Sequence, residues 1–422
     1  MNTSFAEVIA QALDFLLYLV PIAVPVLLGF LAFEKYVSAN RQRYFNSLNW
    51  TLMEIVPSPD IVKSPAAMEL FLLALYQTGG EGTWIDRWVK GKVRTWFSLE
   101  LVSLGGRIRF YIWCESKNKK YLESQIYAQY PGTEVRDAED YAAKLNLTNY
   151  EMMATELSLA KADPYPIKTY VDYQLDKEQE EEYKIDPLTP ILEYFATLPE
   201  DNYAVIQIFV RAHKAEDPDP KKLFPSMSKK VDNWKDDAKK EIAKIKEESF
   251  IDVEEGGVKK KQNVQTETQK RQISALDKSV TKFAFDTGIR LVYIAKKEVF
   301  SGGNFGSLAG SFKQFNSGEL NSFKPRSGAT TSFDYPWQDP FKTKVRKMKT
   351  EYLEAFQIRD YFWKSLPRIK MTDFWRDNDR PYFVLNTEEL ATIFHFPGMV
   401  AQTPTMDRVD SKKATPPDNL PI

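Results

Sequence analysis

The sequence predicts an α+β protein: an N-terminal transmembrane helix, then tandem ferredoxin-like (βαββαβ) domains with a charged helical insertion and a proline-rich C-terminal tail. Three observations carry this. Residues 15–33, "FLLYLVPIAVPVLLGFLAF", contain no charge. The order strand, helix, strand, strand, helix, strand reads through residues 49–137 and recurs from 154 onward, with its last strand unclear. Prolines stand at 397, 404, 416, 417 and 421, where they deny the chain helix and central-strand pairing. The implied boundaries are 1–45 for the anchor and its flank, 46–150 and 151–325 for the two domains, 326–398 for a basic, aromatic helical region, and 399–422 for the tail.

The uncharged run is about the length that crosses a bilayer core of roughly 30 Å. Only Glu7 and Asp14 are charged before it, so the basic start of a signal peptide is missing. Lys35, Arg41 and Arg43 come after it. The positive-inside rule then predicts a single-pass anchor in the cytoplasmic membrane, N-terminus out, with the bulk of the chain cytoplasmic.

In the first domain, "WTLMEIVP" (50–57) reads as a strand and "PAAMELFLLALYQ" (65–77) as a helix with proline in its first turn. "WFSLELVS" (96–103) and "RIRFYIWC" (107–114) flank a glycine turn. "NKKYLESQIYAQYP" (118–131) places Leu122, Ile126 and Tyr130 in one row. "TEVRDAE" (133–139) closes the domain. In the second domain the strands are 154–160, 203–212 and 287–297, and the helices 186–198 and 305–315. The second and third strands are separated by residues 213–286. There "SKKVDNWKDDAKKEIAKIKEE" (228–248) alternates charges at helical spacing, and 254–270 reads as a mobile loop. This insertion is expected to be a solvated arm that can be shortened.

Lys and Arg number 57 against 58 Asp and Glu, so there is no global pull toward nucleic acid or anionic lipid. A local one is offered by residues 341–380, which hold eleven Lys/Arg, six Asp/Glu and interleaved aromatics. Such a stripe suits single-stranded nucleic acid or an anionic membrane face. It also reads as an ordinary amphipathic helix at 352–363.

Catalytic, cofactor and metal residues are expected to be none. Two histidines, His213 and His395, and one cysteine, Cys114, cannot build a Cys/His metal site. No phosphate-loop motif occurs, and "GGNFGSLAG" (302–310) reads as a loop entering a helix. Cys114 closes an apolar strand and reads as a core thiol. His395, between Phe394 and Phe396, reads as a packed, hydrogen-bonded ring. Glu100 and Glu123 read as surface carboxylates.

"FVLNTEELATIFHFPG" (383–398) carries a capping box: Asn386 caps a helix and Glu389 reaches back to it. Together with "RVDSKKATPPDNLPI" (408–422), it resembles a junction in membrane-anchored bacterial ATPases of the type IV secretion and conjugation class. There a similar helix, a hydroxyl-and-basic patch and a proline-rich run precede the strand that feeds the P-loop. "RIRFYIWC", "YLESQIYAQYPGTEV" and "GSLAGSFKQFNSGELNSFKP" look like the accessory region of the same group. The motor domain is not in this chain. The resemblance therefore implies a membrane-anchored accessory or assembly subunit without catalysis, working with a separate P-loop ATPase and with further copies of itself. The alternatives are a stand-alone membrane scaffold and a single-stranded nucleic-acid-binding membrane protein.

Overall fold

The computed structural model describes residues 5–58, 63–80, 83, 85–177, 185–214, 233–255, 258–333, 335–362 and 382–398. The tail 399–422, the start of the insertion at 215–232 and the second part of the basic stretch at 363–381 lie outside the described residues. The chain divides into two compact units, Met1–Leu48 with Gly79–Arg94, and Asn49–Thr78 with Thr95–Ile422.

The first unit is built on helix α1 (Phe5–Ser47), which runs well past the uncharged stretch. At 1.5 Å per residue it is about 65 Å long. Pro21 and Pro25 lie inside it without ending it. Val20–Ser47 is long and apolar enough to cross a membrane. Ile22, Val26, Leu27 and Leu28 are exposed on it, an arrangement that water disfavours and lipid does not. Nearer its C-terminus Val37 and Asn40 are buried, and Phe33 meets Trp88 of the short turn Ile85–Val89 with ring centroids 5.7 Å apart.

The second unit begins with β1 (Trp50–Val56), α2 (Ala66–Leu75), β2 (Phe97–Leu104), β3 (Arg107–Glu115), α3 (Lys119–Gln129) and β4 (Glu134–Asp137). Gly105 and Gly106 join β2 to β3 with φ of 60° and 86°, the pair of positive values that a two-residue type I′ hairpin requires. The second series is β5 (Tyr150–Leu159), α4 (Thr189–Ala196), β6 (Asn202–Ala212), β9 (Ala284–Lys296), α7 (Gly302–Gly310) and β10 (Phe323–Pro325). β10, the strand left unclear by the sequence pattern, has only three residues, too few to show a period.

The strands lie in the order β10-β5-β9-β6-β2-β3-β1-β4, all antiparallel. Numbered within its own series, each half reads 4-1-3-2. The halves do not form two separate sheets: β2 pairs with β6 over their full overlap, giving one continuous sheet. Joining the two inner edges satisfies backbone groups that would otherwise stand open. β9 is longer than β5, and its first residues instead pair with β11 (Phe383–Asn386), a strand that the sequence pattern does not reveal.

Helices α2, α3, α4, α7 and the terminal α9 (Thr387–Ile393) cover one face. Their side chains, among them Phe71, Ile126, Phe195, Leu308 and Leu390, pack on Ile55, Leu99, Phe110, Ile208 and Leu291 of the sheet. Each such side chain contributes about 1.5–3 kcal/mol on burial. The C-terminal end of α8 (Thr343–Gln357) covers the other face. β9 is therefore buried on both sides from Ala284 to Ala295.

The insertion holds α5 (Asn233–Glu248), a hairpin of β7 (Phe250–Glu255) and β8 (Val258–Asn263), and α6 (Glu267–Ser279). It is not a free arm. Ile245 and Leu276 are buried with Tyr165, and Trp234 with Ala284 and Val384. Nor is 254–270 a loop, since β8 and the capped start of α6 occupy much of it. Among the described residues the hairpin strands pair with each other and not with the large sheet, and Val264 N donates to Ser249 O at 2.9 Å across its base. Replacing 250–263 by a short turn is expected to change unfolding free energy by no more than about 0.5 kcal/mol. A larger loss in chemical denaturation would show that the hairpin supports the sheet.

Candidate functional site

Two polar clusters are built into the second unit, one on each face of the sheet. The first seats α9. Asn386 accepts from Glu389 N at 3.0 Å, and Glu389 Oε2 accepts from Asn386 N at 2.9 Å, completing the capping box. The other carboxylate oxygen of Glu389 accepts from Ile167 N at 3.0 Å. Burial pushes this carboxyl up to about 8, although both amides oppose the shift. Glu388 accepts from Thr169 at 2.6 Å and pairs with Lys282 at 2.7 Å and Lys278 at 3.0 Å. Burial opposes its charge, but these partners outweigh it and hold the carboxyl below the usual range. Glu69 of α2 accepts from Tyr170 at 2.5 Å, from Lys282 at 3.0 Å and from Thr387 at 3.1 Å. Tyr170 N donates to Thr392 at 2.9 Å. Every residue from Phe383 to Pro397 is buried.

The second cluster is a row that crosses six strands. Glu54, Tyr111, Glu100, Gln207, Arg290 and Glu156 are successive cross-strand partners on β1, β3, β2, β6, β9 and β5. The row is centred on the β2–β6 junction, and Glu54 and Glu156 occupy corresponding positions in the two halves. Glu100 is fully buried; it accepts from Ser98 at 2.8 Å, Tyr141 at 2.8 Å and Gln207 at 2.9 Å. Arg359 Nε reaches it at 3.2 Å, and the same guanidinium pairs with Asp140. Burial works against the Arg359 charge, yet Glu100 and Asp140 prevail and raise its pKa.

The row also holds down the end of α8. Arg290 donates to Ala355 O at 3.0 Å and Asp360 O at 2.8 Å, and Gln207 donates to Phe356 O at 3.3 Å. Ala355 and Phe356 lie in the last turn of α8, the end where the helix dipole favours a cation, and Asp360 lies just past it. Arg359, with φ 52°, turns the chain out of the helix in the left-handed conformation.

Of the residues singled out from sequence, Cys114 lies on the core face and its thiol is pushed up to about 12 by burial, which leaves little nucleophilic thiolate. His395 is buried, with Nδ1 2.8 Å from Ala391 O and Nε2 3.1 Å from Asp186. Burial alone would raise the Asp186 carboxyl, but the His395 ring holds it low. His213 sits 2.7 Å from Asp286, which also accepts from Arg211 at 2.8 Å. Gly302–Gly310 is helical throughout, earlier than the expected start at 305. Glu123 pairs with Lys119 at 3.7 Å near the surface, whereas Glu100, expected to be exposed, lies in the interior because α8 covers its face. The helix expected at 352–363 ends at Gln357. Among the described residues no group of three His, Cys, Asp or Glu is placed to hold a metal. The paired charges of both clusters fix backbone.

The family model of a domain of unknown function, DUF8128, matches residues 49–409. The chain belongs to the DUF8128 family. The matched span takes in both polar clusters, the insertion and α8. No curated protein matches the chain.

Proposed function

We propose that this DUF8128 chain is a membrane-tethered assembly module without catalysis, which holds a separate P-loop ATPase of the secretion or conjugation class through the segment after α9. The supporting observation is the unbroken burial of Phe383–Pro397. A passive linker needs no such root. Here the strand pairs with β9 and the helix is fastened by Glu69, Glu388 and Glu389, so the chain leaves the sheet at Gly398 from a fixed point. A partner gripping the chain beyond Gly398 is held close to the sheet by that root. In this reading each 4-1-3-2 half is a ferredoxin-like unit, and α1 anchors the chain with its bulk on the cytoplasmic side, as Lys35, Arg41 and Arg43 favour. Copies of the chain would then array the ATPase at the membrane.

The test is capture from detergent-solubilised membranes with the full chain and with a version ending at Gly398. The full chain is expected to retrieve a P-loop ATPase and the shortened chain to lose most of it. Equal retrieval would remove the tail as the docking element. If neither chain retrieves one, the scaffold reading takes its place.

A further inference from the structure

We propose that the aromatic and basic segment Tyr335–Lys347 docks on an anionic lipid surface. It stands apart from both polar clusters and does not depend on the ATPase reading. Trp337 is 72% exposed, Phe341 84% and Tyr335 52%, within a few residues of one another. Tyr335 and Trp337 stack with ring centroids 4.6 Å apart, so they present one apolar knuckle. Large aromatics left this open mark a contact surface.

The charges beside the knuckle choose the partner. Lys342, Lys344, Arg346 and Lys347 are exposed at the start of α8, and the first turn carries no acid. Cations at a helix N-terminus oppose its dipole; Asp339 caps the amides there, but the exposed cations themselves still gain from an external anion. Two nearby carboxylates, Asp339 and Glu151, are committed, and Glu351 stands half-buried one turn further along α8. Asp339 is buried and accepts from Thr343 N at 3.0 Å and Val345 N at 2.8 Å, and Glu151 pairs with Lys349. Asp334 lies outside the described residues. Protein interfaces are depleted in lysine, whereas lysine-rich patches beside Trp, Tyr and Phe are the two signals that bind anionic bilayers together. A helix apolar enough to span a membrane lies in the same chain, which keeps such a surface at high effective concentration.

The test uses the full chain reconstituted in phosphatidylcholine vesicles with or without phosphatidylglycerol. An environment-sensitive fluorophore is placed at Trp337→Cys and, separately, at Phe341→Cys. Cys114 is buried, and the labelled parent chain gives the background. The expected result is a blue-shifted emission and quenching by bromolipid only where phosphatidylglycerol is present, both lost when Lys342, Lys344, Arg346 and Lys347 are changed together to Glu. That change suits the helix dipole, so the thermal transition is expected to hold. Labels at both positions that stay aqueous in both vesicle types, or quenching that survives the charge reversal, would overturn the proposal. No ATPase enters the assay, so its outcome is separate from that of the capture experiment.

Discussion

Changing Arg359 to Met is expected to destabilise the sheet unit by about 3–5 kcal/mol, the range found when one partner of a buried ion pair is removed. Arg359 and Glu100 are both essentially inaccessible to water, and the guanidinium meets the carboxylate through Nε and Nη2. Without it, Glu100 keeps its bonds from Ser98, Tyr141 and Gln207 but loses its countercharge in the interior. Asp140, which is partly exposed, can turn to water and adds little to the loss. The double variant Arg359→Met, Glu100→Gln is therefore expected to be more stable than the single one, because no buried charge is left alone. Chemical denaturation of the three chains measures this. A single variant within about 1 kcal/mol of the parent, below the range for a broken buried pair, would mean that α8 is held by its apolar contacts and not by this network.

This network shows where sequence reasoning stops. The strand "FSLELVSL" alternates, and alternation predicts one wet face. Local pattern puts Glu100 on that face, because its partner Arg359 is 259 residues away and arrives behind a helix whose own pattern says nothing about where it docks. The β2–β6 junction is equally invisible: strand pairing uses backbone groups that every sequence has, and the one polar match across it, Gln207 with Glu100, joins residues 107 apart. β11 has four residues, shorter than any period can reveal. The Asn386 capping box, the Gly105-Gly106 turn and the strand–helix order of the two halves are legible because their signals lie within a few residues or within one hydrophobic repeat. Burial of Cys114 comes from its place in an apolar run, which is local information too. The insertion misleads for the opposite reason. Its charges describe the solvent face of α5 and α6, while a few apolar residues, Trp234, Ile245 and Leu276, carry the attachment.

Gly288→Ala is expected to cost about 1–3 kcal/mol, the range for overpacking a filled interior. The glycine sits mid-strand in "TGIRLVYIA", where it weakens a strand unless another group needs the space. Here the group is the Tyr361 ring: a Cβ at 288 would run into its Cδ1, Cε1 and Cζ atoms. The ring cannot easily step aside. It is buried, stacks on Phe209 with centroids 5.0 Å apart, and comes directly after Asp360, whose carbonyl Arg290 holds at 2.8 Å. The alanine methyl therefore pushes on the turn that carries Arg359, so the lesion spreads from packing to the polar row. Two readouts separate this from a generic strand defect. Amide exchange at 355–361 is expected to rise before exchange in the middle of β6 and β9 does, since local opening starts where contacts are lost. In a double-mutant cycle with Tyr361→Ala, the two costs are expected to be non-additive by about 1 kcal/mol or more, within the range of about 0.5–3 kcal/mol found for touching residues. Additive costs would show that residue 288 and the Tyr361 ring do not compete for the same space, and that the turn after α8 is positioned by something other than this close approach.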